Sequence, residues 1–170
     1  MTLDDLTAMT TADEYHRYEI SPEGVVSITP PEAYAHAVIA TRLTGWLTAG
    51  LPVDRITQAV GLRIPGSDGA VGGRIPDLIV WSKAQANGVW LSVADVLLVV
   101  EIVSPGSEGI DTVTKRKEYA AAGIPRYWMI DQDQPQTVTL HQLDGDRYAV
   151  QATMPLAWLL NGTPAEHGLA

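Results

Sequence analysis

The sequence predicts an α/β (α+β) domain: one central mixed β-sheet with a helix from each half of the chain packed against it. Three observations carry that expectation. Residues 95–131 read as strand, turn, helix and strand: an apolar run at 96–100, Asp111, Lys115 and Tyr119 at four-residue spacing, a Gly123/Pro125 stop, and a second apolar run at 127–130. Residues 32–47 place Val38, Ile39, Leu43, Trp46 and Leu47 at helical spacing. Near the C-terminus, two strand-like runs at 137–142 and 148–152 are joined by Asp144-Gly145, a hairpin turn pair.

Taken in order, residues 3–18 suggest a short helix capped by Thr10 or Thr11, with Asp13 and Glu14 in its first turn. Residues 18–29 suggest two short strands around a turn at 21–24. Pro30-Pro31 breaks the chain, and the helix at 32–47 follows with Pro31 at its first position and Gly50 past its end. Residues 54–64 read as one strand. The glycine-rich run 65–73 reads as a loop, and it lacks the Gly-Lys-Ser/Thr of a phosphate-binding loop. A strand at 75–81 and a polar connection at 82–92 precede residues 96–103, which are apolar on both faces and so belong in the centre of the sheet. A helix at 111–122 and a strand at 126–130 complete the central unit. Residues 155–160 suggest one more turn. The expected organisation is a single domain over 1–160 with a disordered tail at 161–170.

The 170 residues, 46% hydrophobic, suffice for one domain with a real core. With no cysteine, disulfides and thiolate metal sites are excluded. No apolar run approaches the roughly 20 residues of a membrane span. The acidic N-terminus carries no signal-peptide pattern, so a cytoplasmic protein is expected. A net charge of −9 argues against sequence-blind binding to nucleic acid. The charge is uneven, however. Residues 1–36 hold seven acids and one Lys or Arg, whereas 115–126 hold Lys115, Arg116, Lys117 and Arg126 against Glu118 alone.

Two acids stand out because their neighbours are apolar: Asp77 in IPDLIVW and Glu101 at the end of the 96–100 run. A buried carboxylate without a partner is expensive, so a metal, a cation or backbone donors must compensate each one. Two acids on adjacent strands suit a hard divalent cation, since Mg²⁺ takes oxygen ligands and keeps several waters. Asp77, Glu101 and the Ile102 carbonyl would make such an open site. Asp111, Lys115 and Tyr119 share a helix face from which Lys115 could reach the acids. Alternatively, Asp111 is a helix cap, Lys115 its surface partner and Tyr119 a core residue. Lys117 projects about 200° away from Lys115.

The string IPD, then VVEIVSP, then D-x3-K-x3-Y, then AAGIPRYWMID resembles the Uma-two-type restriction endonuclease family, a branch of the PD-(D/E)XK nuclease superfamily. The resemblance implies a restriction-endonuclease-like fold and Mg²⁺-dependent hydrolysis of DNA phosphodiester bonds by a water activated near the metal, with Mn²⁺ as an alternative ion. Carried over by position, Asp77 and Glu101 are the motif acids. The motif lysine slot two residues after Glu101 holds Val103, and the resemblance points to Lys115 on the following helix instead, with Lys117 as the fallback. Glu19 resembles a family position near the site, with Glu32 as its alternative, and His36 resembles a family histidine. A lone histidine is more often structural, and Ser104 before Pro105 is more simply a turn former than a nucleophile. A nuclease-fold protein that binds metal, nucleic acid or protein without cleaving is the competing expectation. Cutting both strands needs two sites, which is compatible with a homodimer.

Overall fold

The computed structural model describes residues 1–104 and 110–170, with the side chains of residues 110 and 111 outside the described set. The turn expected after Ser104 and the expected role of Asp111 therefore lie outside the described residues. Among those residues no helix is long and apolar enough to cross a membrane.

Helix α1 (Leu3–Ala12) starts earlier than expected, because Thr2 rather than Thr10 or Thr11 caps it. Thr2 accepts from the Asp5 N–H while the Asp5 carboxylate accepts from the Thr2 N–H, a reciprocal capping box. Thr10 and Thr11 lie inside the helix and donate back to the carbonyls of Leu6 and Thr7. Asp13 ends the helix, its carboxylate accepting from the Tyr15 N–H and the Tyr18 hydroxyl and pairing with His16.

Strands β1 (Arg17–Ile20) and β2 (Val26–Thr29) form an antiparallel hairpin. Helix α2 (Tyr34–Thr48) begins with Ala33 as its cap, so Pro31 sits in an extended lead-in rather than at the first helical position. Its inner face buries His36, Ile39, Ala40, Leu43 and Leu47.

The strand expected over 54–64 is two strands, β3 (Ile56–Gln58) and β4 (Gly61–Pro65). Ala59 takes φ 52° between them, and the chain crosses there from one sheet to another. The glycine-rich run is likewise not a loop: β5 (Val71–Arg74) pairs antiparallel with β4. Glycine is required within β5, since a Cβ on Gly72 would lie 2.7 Å from the Pro22 nitrogen, and one on Gly73 2.6 Å from Leu3.

Strands β6 (Leu78–Trp81), β7 (Trp90–Ser92) and β8 (Val96–Val103) follow, β7 arising within the expected polar connection. Helix α3 (Ile110–Ala121) crosses over to β9 (Arg126–Asp131), which is parallel to β8. Strands β10 (Thr137–Asp144) and β11 (Arg147–Pro155) make a long hairpin with a register shift between Leu140 and His141.

The result is two mixed sheets where one was expected. The larger runs β11-β10-β9-β8-β6-β3 and the smaller β2-β1-β5-β4-β7. As expected, β8 is central, flanked by β6 and β9, and buried on both faces. Leu98, Val100 and Ile102 pack with α2. Val96 and Val99 pack with Tyr119 of α3 and with Leu62 and Ile64 of the smaller sheet.

Residues 161–170 are not a disordered tail. Helix α4 (Leu156–Asn161) leads into a 3-10 turn at Pro164–His167, and Leu169 is 1% exposed in the main core. The Trp46 indole N–H donates to the Gly162 carbonyl and ties this segment to α2.

Candidate active site

Most of the side chains singled out in the sequence gather where the two sheets meet. Between β5 of the smaller sheet and β6 of the larger one, the chain runs through Ile75, Pro76 and Asp77. The β6–β8 register pairs Leu78 with Val100, and continued by one residue it sets Asp77 opposite Glu101. Directly opposed residues share a sheet face, so both carboxylates project to the side covered by α3 and the smaller sheet. Both line one pocket of about 500 Å³, together with Arg17, Glu19, Glu32 and Lys115.

Asp77 is held by three partners. The Ile102 N–H donates to Oδ2 at 2.7 Å, and Arg17 Nη1 donates to Oδ1 at 3.2 Å. His36 Nε2 lies 3.1 Å from the same Oδ1. Burial alone would raise the Asp77 carboxyl, but the His36 ring, the Ile102 N–H and Arg17 outweigh it and hold the group below the usual carboxylate range. Glu101 is shifted the other way. Burial, reinforced by the Asp77 and Glu19 charges, pushes its carboxyl up to about 7 against the opposing pull of Lys115 and the Tyr119 hydroxyl.

Lys115 is buried, with Nζ 3.0 Å from Glu19 Oε2 and 3.6 Å from Glu101 Oε1. One turn further along α3, the Tyr119 hydroxyl donates to Glu101 Oε1 at 2.7 Å, and burial followed by the Glu101 charge raises its pKa well above the ordinary value. The four-residue spacing thus puts Lys115 and Tyr119 on the same carboxylate. Glu118, on the same side of α3, makes a buried two-pronged pair with Arg74 of β5 at 2.7 and 2.8 Å. That pair fixes α3, and with it Lys115, against the smaller sheet. Glu19 Oε1 in turn accepts from the Ile75 N–H at 2.6 Å.

Of the residues singled out in the sequence, Glu19, its alternative Glu32, Asp77, Glu101, Ile102, Ser104 and Lys115 line the pocket. His36 and Tyr119 contact its carboxylates, and Lys117 is exposed on the far side of α3. Arg17 was missed. It shares a strand face with Glu19 two residues on, and that alternation was the available signal. Ser104 donates to Glu32 Oε2 at 3.2 Å, so it orients an acid.

The residues fit a divalent cation. His36 Nε2 is a buried ring nitrogen with no hydrogen bond among the described residues, although it faces two carboxylates. Its contacts are in ion-pair range but poorly aligned for hydrogen bonding. Oxygen donors on Asp77 and Glu101 meet the preference of Mg²⁺ or Mn²⁺.

The model of the Uma2 family, described as "Putative restriction endonuclease", matches residues 3–170. A crystal structure titled as a putative nuclease belonging to DUF820 from Anabaena variabilis is similar in fold, with a TM-score of 0.58 at 20% identity. The likeness covers 81% of this chain and 74% of that one. No curated protein matches the chain.

Proposed function

The chain belongs to the Uma2 family of putative restriction endonucleases, and from that membership we propose that it is a Mg²⁺- or Mn²⁺-dependent endonuclease that hydrolyses DNA phosphodiester bonds in the cytoplasm. The observation that carries this reading is the buried Lys115 ammonium between Glu19 and Glu101, in the pocket that Asp77 also lines.

Asp77 and Glu101 would hold the ion, with the Ile102 carbonyl as a third oxygen. A bound divalent ion supplies positive charge to the phosphoryl oxygens and lowers the pKa of a nearby water. The chain's own residues do the rest. Lys115 Nζ offsets charge on the phosphoryl oxygens, replacing the cation that Val103 cannot supply. Tyr119 fixes the Glu101 rotamer through its hydroxyl, and Glu19 steers Lys115. Arg17, with a side chain 22% exposed, presents a planar fork suited to an incoming phosphate. Lys117, outside the pocket, is left to a distant phosphate contact. Cutting both strands would require two copies or two encounters.

A nuclease-fold protein that binds without cleaving is favoured by one observation, Val103 in the usual lysine slot. One assay separates the readings: supercoiled plasmid incubated with metal-free protein, then with Mg²⁺ or Mn²⁺. Metal-dependent nicking that Asp77→Asn abolishes supports the endonuclease. Intact plasmid under both metals supports the binding module.

A further inference from the structure

Two residues at the start of α2 are left over from that reading. Glu32 lies in the extended lead-in that follows Pro30-Pro31, and His36 lies in the first turn of α2. Both side chains turn toward Asp77. His36 Nε2 is 3.1 Å from Asp77 Oδ1 and 3.8 Å from Glu32 Oε2, and one donor atom from each of the three lies within 4.8 Å of the others.

The 3.1 and 3.8 Å separations fall in the range of donors sharing one ion. Metal–donor bonds of about 2.1 Å place adjacent ligands about 3 Å apart and opposite ones about 4.2 Å apart. Ser104 Oγ, 3.2 Å from Glu32 Oε2, orients the outermost of the three acceptors. The decisive feature is the imidazole. His36 is 5% exposed, and its Nε2 has no hydrogen-bond partner among the described residues. That nitrogen is in ion-pair range of two carboxylate oxygens and aligned with neither, the placement expected where one cation is shared by all three groups.

We infer that Glu32, His36 and Asp77 form a seat for a borderline first-row divalent cation such as Mn²⁺, Co²⁺ or Zn²⁺, set apart from the Asp77–Glu101 pair by its nitrogen ligand. One imidazole and two carboxylates discriminate against Mg²⁺, which prefers an all-oxygen shell. Asp77 Oδ1 belongs to this seat, since Oδ2 is taken by the Ile102 N–H. Arg17 Nη1, also 3.2 Å from Oδ1, is the cation that must give way, and its side chain is exposed enough to turn toward solvent. The seat gives the pocket a preference among ions that Asp77 and Glu101 alone cannot impose. It rests on the reading of this pocket as a metal site only through Asp77.

The test reads metal binding, not cleavage. Metal-free full-length protein is titrated with Co²⁺, followed by its visible absorption, and with Mn²⁺, followed by electron paramagnetic resonance including the nitrogen coupling of a histidine ligand. Wild type should bind both ions with a nitrogen signature, and excess Mg²⁺ should displace them poorly. His36→Ala should remove the nitrogen signature and weaken Co²⁺ binding by about tenfold or more. Glu32→Gln, a change at a partly exposed side chain that leaves the core untouched, should weaken it in the same direction. Glu101→Gln should keep the nitrogen signature. Absence of Co²⁺ binding by wild type, or equal affinity in wild type and both seat variants, overturns the seat. Plasmid cleavage alongside that equality would leave the nuclease reading standing, whereas a confirmed seat without cleavage would uphold the seat and defeat the nuclease.

Discussion

Lys115 Nζ lies 3.0 Å from Glu19 Oε2, and both side chains are almost wholly buried. The pair bridges α3 on one sheet to β1 on the other, so the cation is fixed by the packing of two sheets. A pair of this kind constrains geometry more than it stabilises, because desolvating both charges offsets most of their attraction.

Lys115→Ala should therefore have two effects. Cleavage should fall by on the order of 10²–10³, the usual cost of one lost electrostatic contact to a developing charge. Stability should fall by about 3–5 kcal/mol, since Glu19 and Glu101 lose their shared cation. Divalent binding through Asp77 should survive. Lys117→Ala, on the exposed face of α3, should leave stability unchanged and lower DNA affinity only slightly. Plasmid nicking, chemical denaturation and calorimetric metal titration check the set. Equal cleavage by wild type and Lys115→Ala would sink the role assigned to this lysine.

Asp77→Asn separates a crowded anion from a paired one. Two unpaired acids would repel, and removing one charge would raise the melting temperature. The contacts argue the opposite for the metal-free protein, because Arg17 and His36 both lean on Asp77 Oδ1. The variant should lose about 1–3 kcal/mol at neutral pH. The folded Asp77 carboxyl lies below its ordinary 3.8, so its contribution is present above that pH and is lost as pH falls through and below it. The melting difference between wild type and variant should shrink toward pH 3.

The acids were legible because each interrupts an apolar run, and α3 was legible because its spacing is local. The smaller sheet was not. Its strands β4 and β5 are short, Gly72 and Gly73 carry no side chain to set a pattern, and their reason lies in Pro22, Leu3 and Trp90, far off in sequence. Ala59 likewise reads as an ordinary strand residue, yet its positive φ sends the chain from one sheet to the other. The burial of Leu169 depends on α2 and the large sheet, which nothing in its own polar neighbourhood signals. Arg17 was overlooked for the same reason: it reaches the pocket only when β1 converges on Asp77.

His141 should make stability sensitive to mild acid. Burial lowers its ring pKa below the ordinary 6.5, and Nδ1 lies 3.1 Å from the Tyr127 carbonyl. The unfolded chain then takes up a proton before the folded one does, so stability is full above about 6.5 and declines as pH falls below it. His36 is raised by Asp77 and Glu32 against the effect of its burial, and its contribution runs in the opposite direction, declining as pH rises. Comparing wild type with His141→Gln isolates the first term. Their melting temperatures should converge between pH 8 and pH 5.5, and parallel curves would discard this account.

Arg17 offers the sharpest test, because the pocket gives it two opposed effects. Its guanidinium shares Asp77 Oδ1 with His36 and also donates to the Ile75 carbonyl at 3.2 Å. In the metal-free protein it neutralises the carboxylate that a divalent ion must claim. At about 4 Å the repulsion between Arg17 and a bound ion's charge could reach about 4 kcal/mol per unit charge. Its 22% exposure reduces that, since the side chain can turn away into solvent. Arg17→Gln, which keeps a donor for the Ile75 carbonyl, should bind Mn²⁺ about tenfold more tightly, equivalent to about 1.4 kcal/mol. The same change removes a fork suited to phosphate at the pocket mouth, so KM for DNA should rise while kcat changes little. General damage to the fold would weaken both interactions together. Tighter metal with weaker substrate is the outcome expected of a cation that guards Asp77 until metal and phosphate arrive, and weaker Mn²⁺ binding in the variant would refute that role.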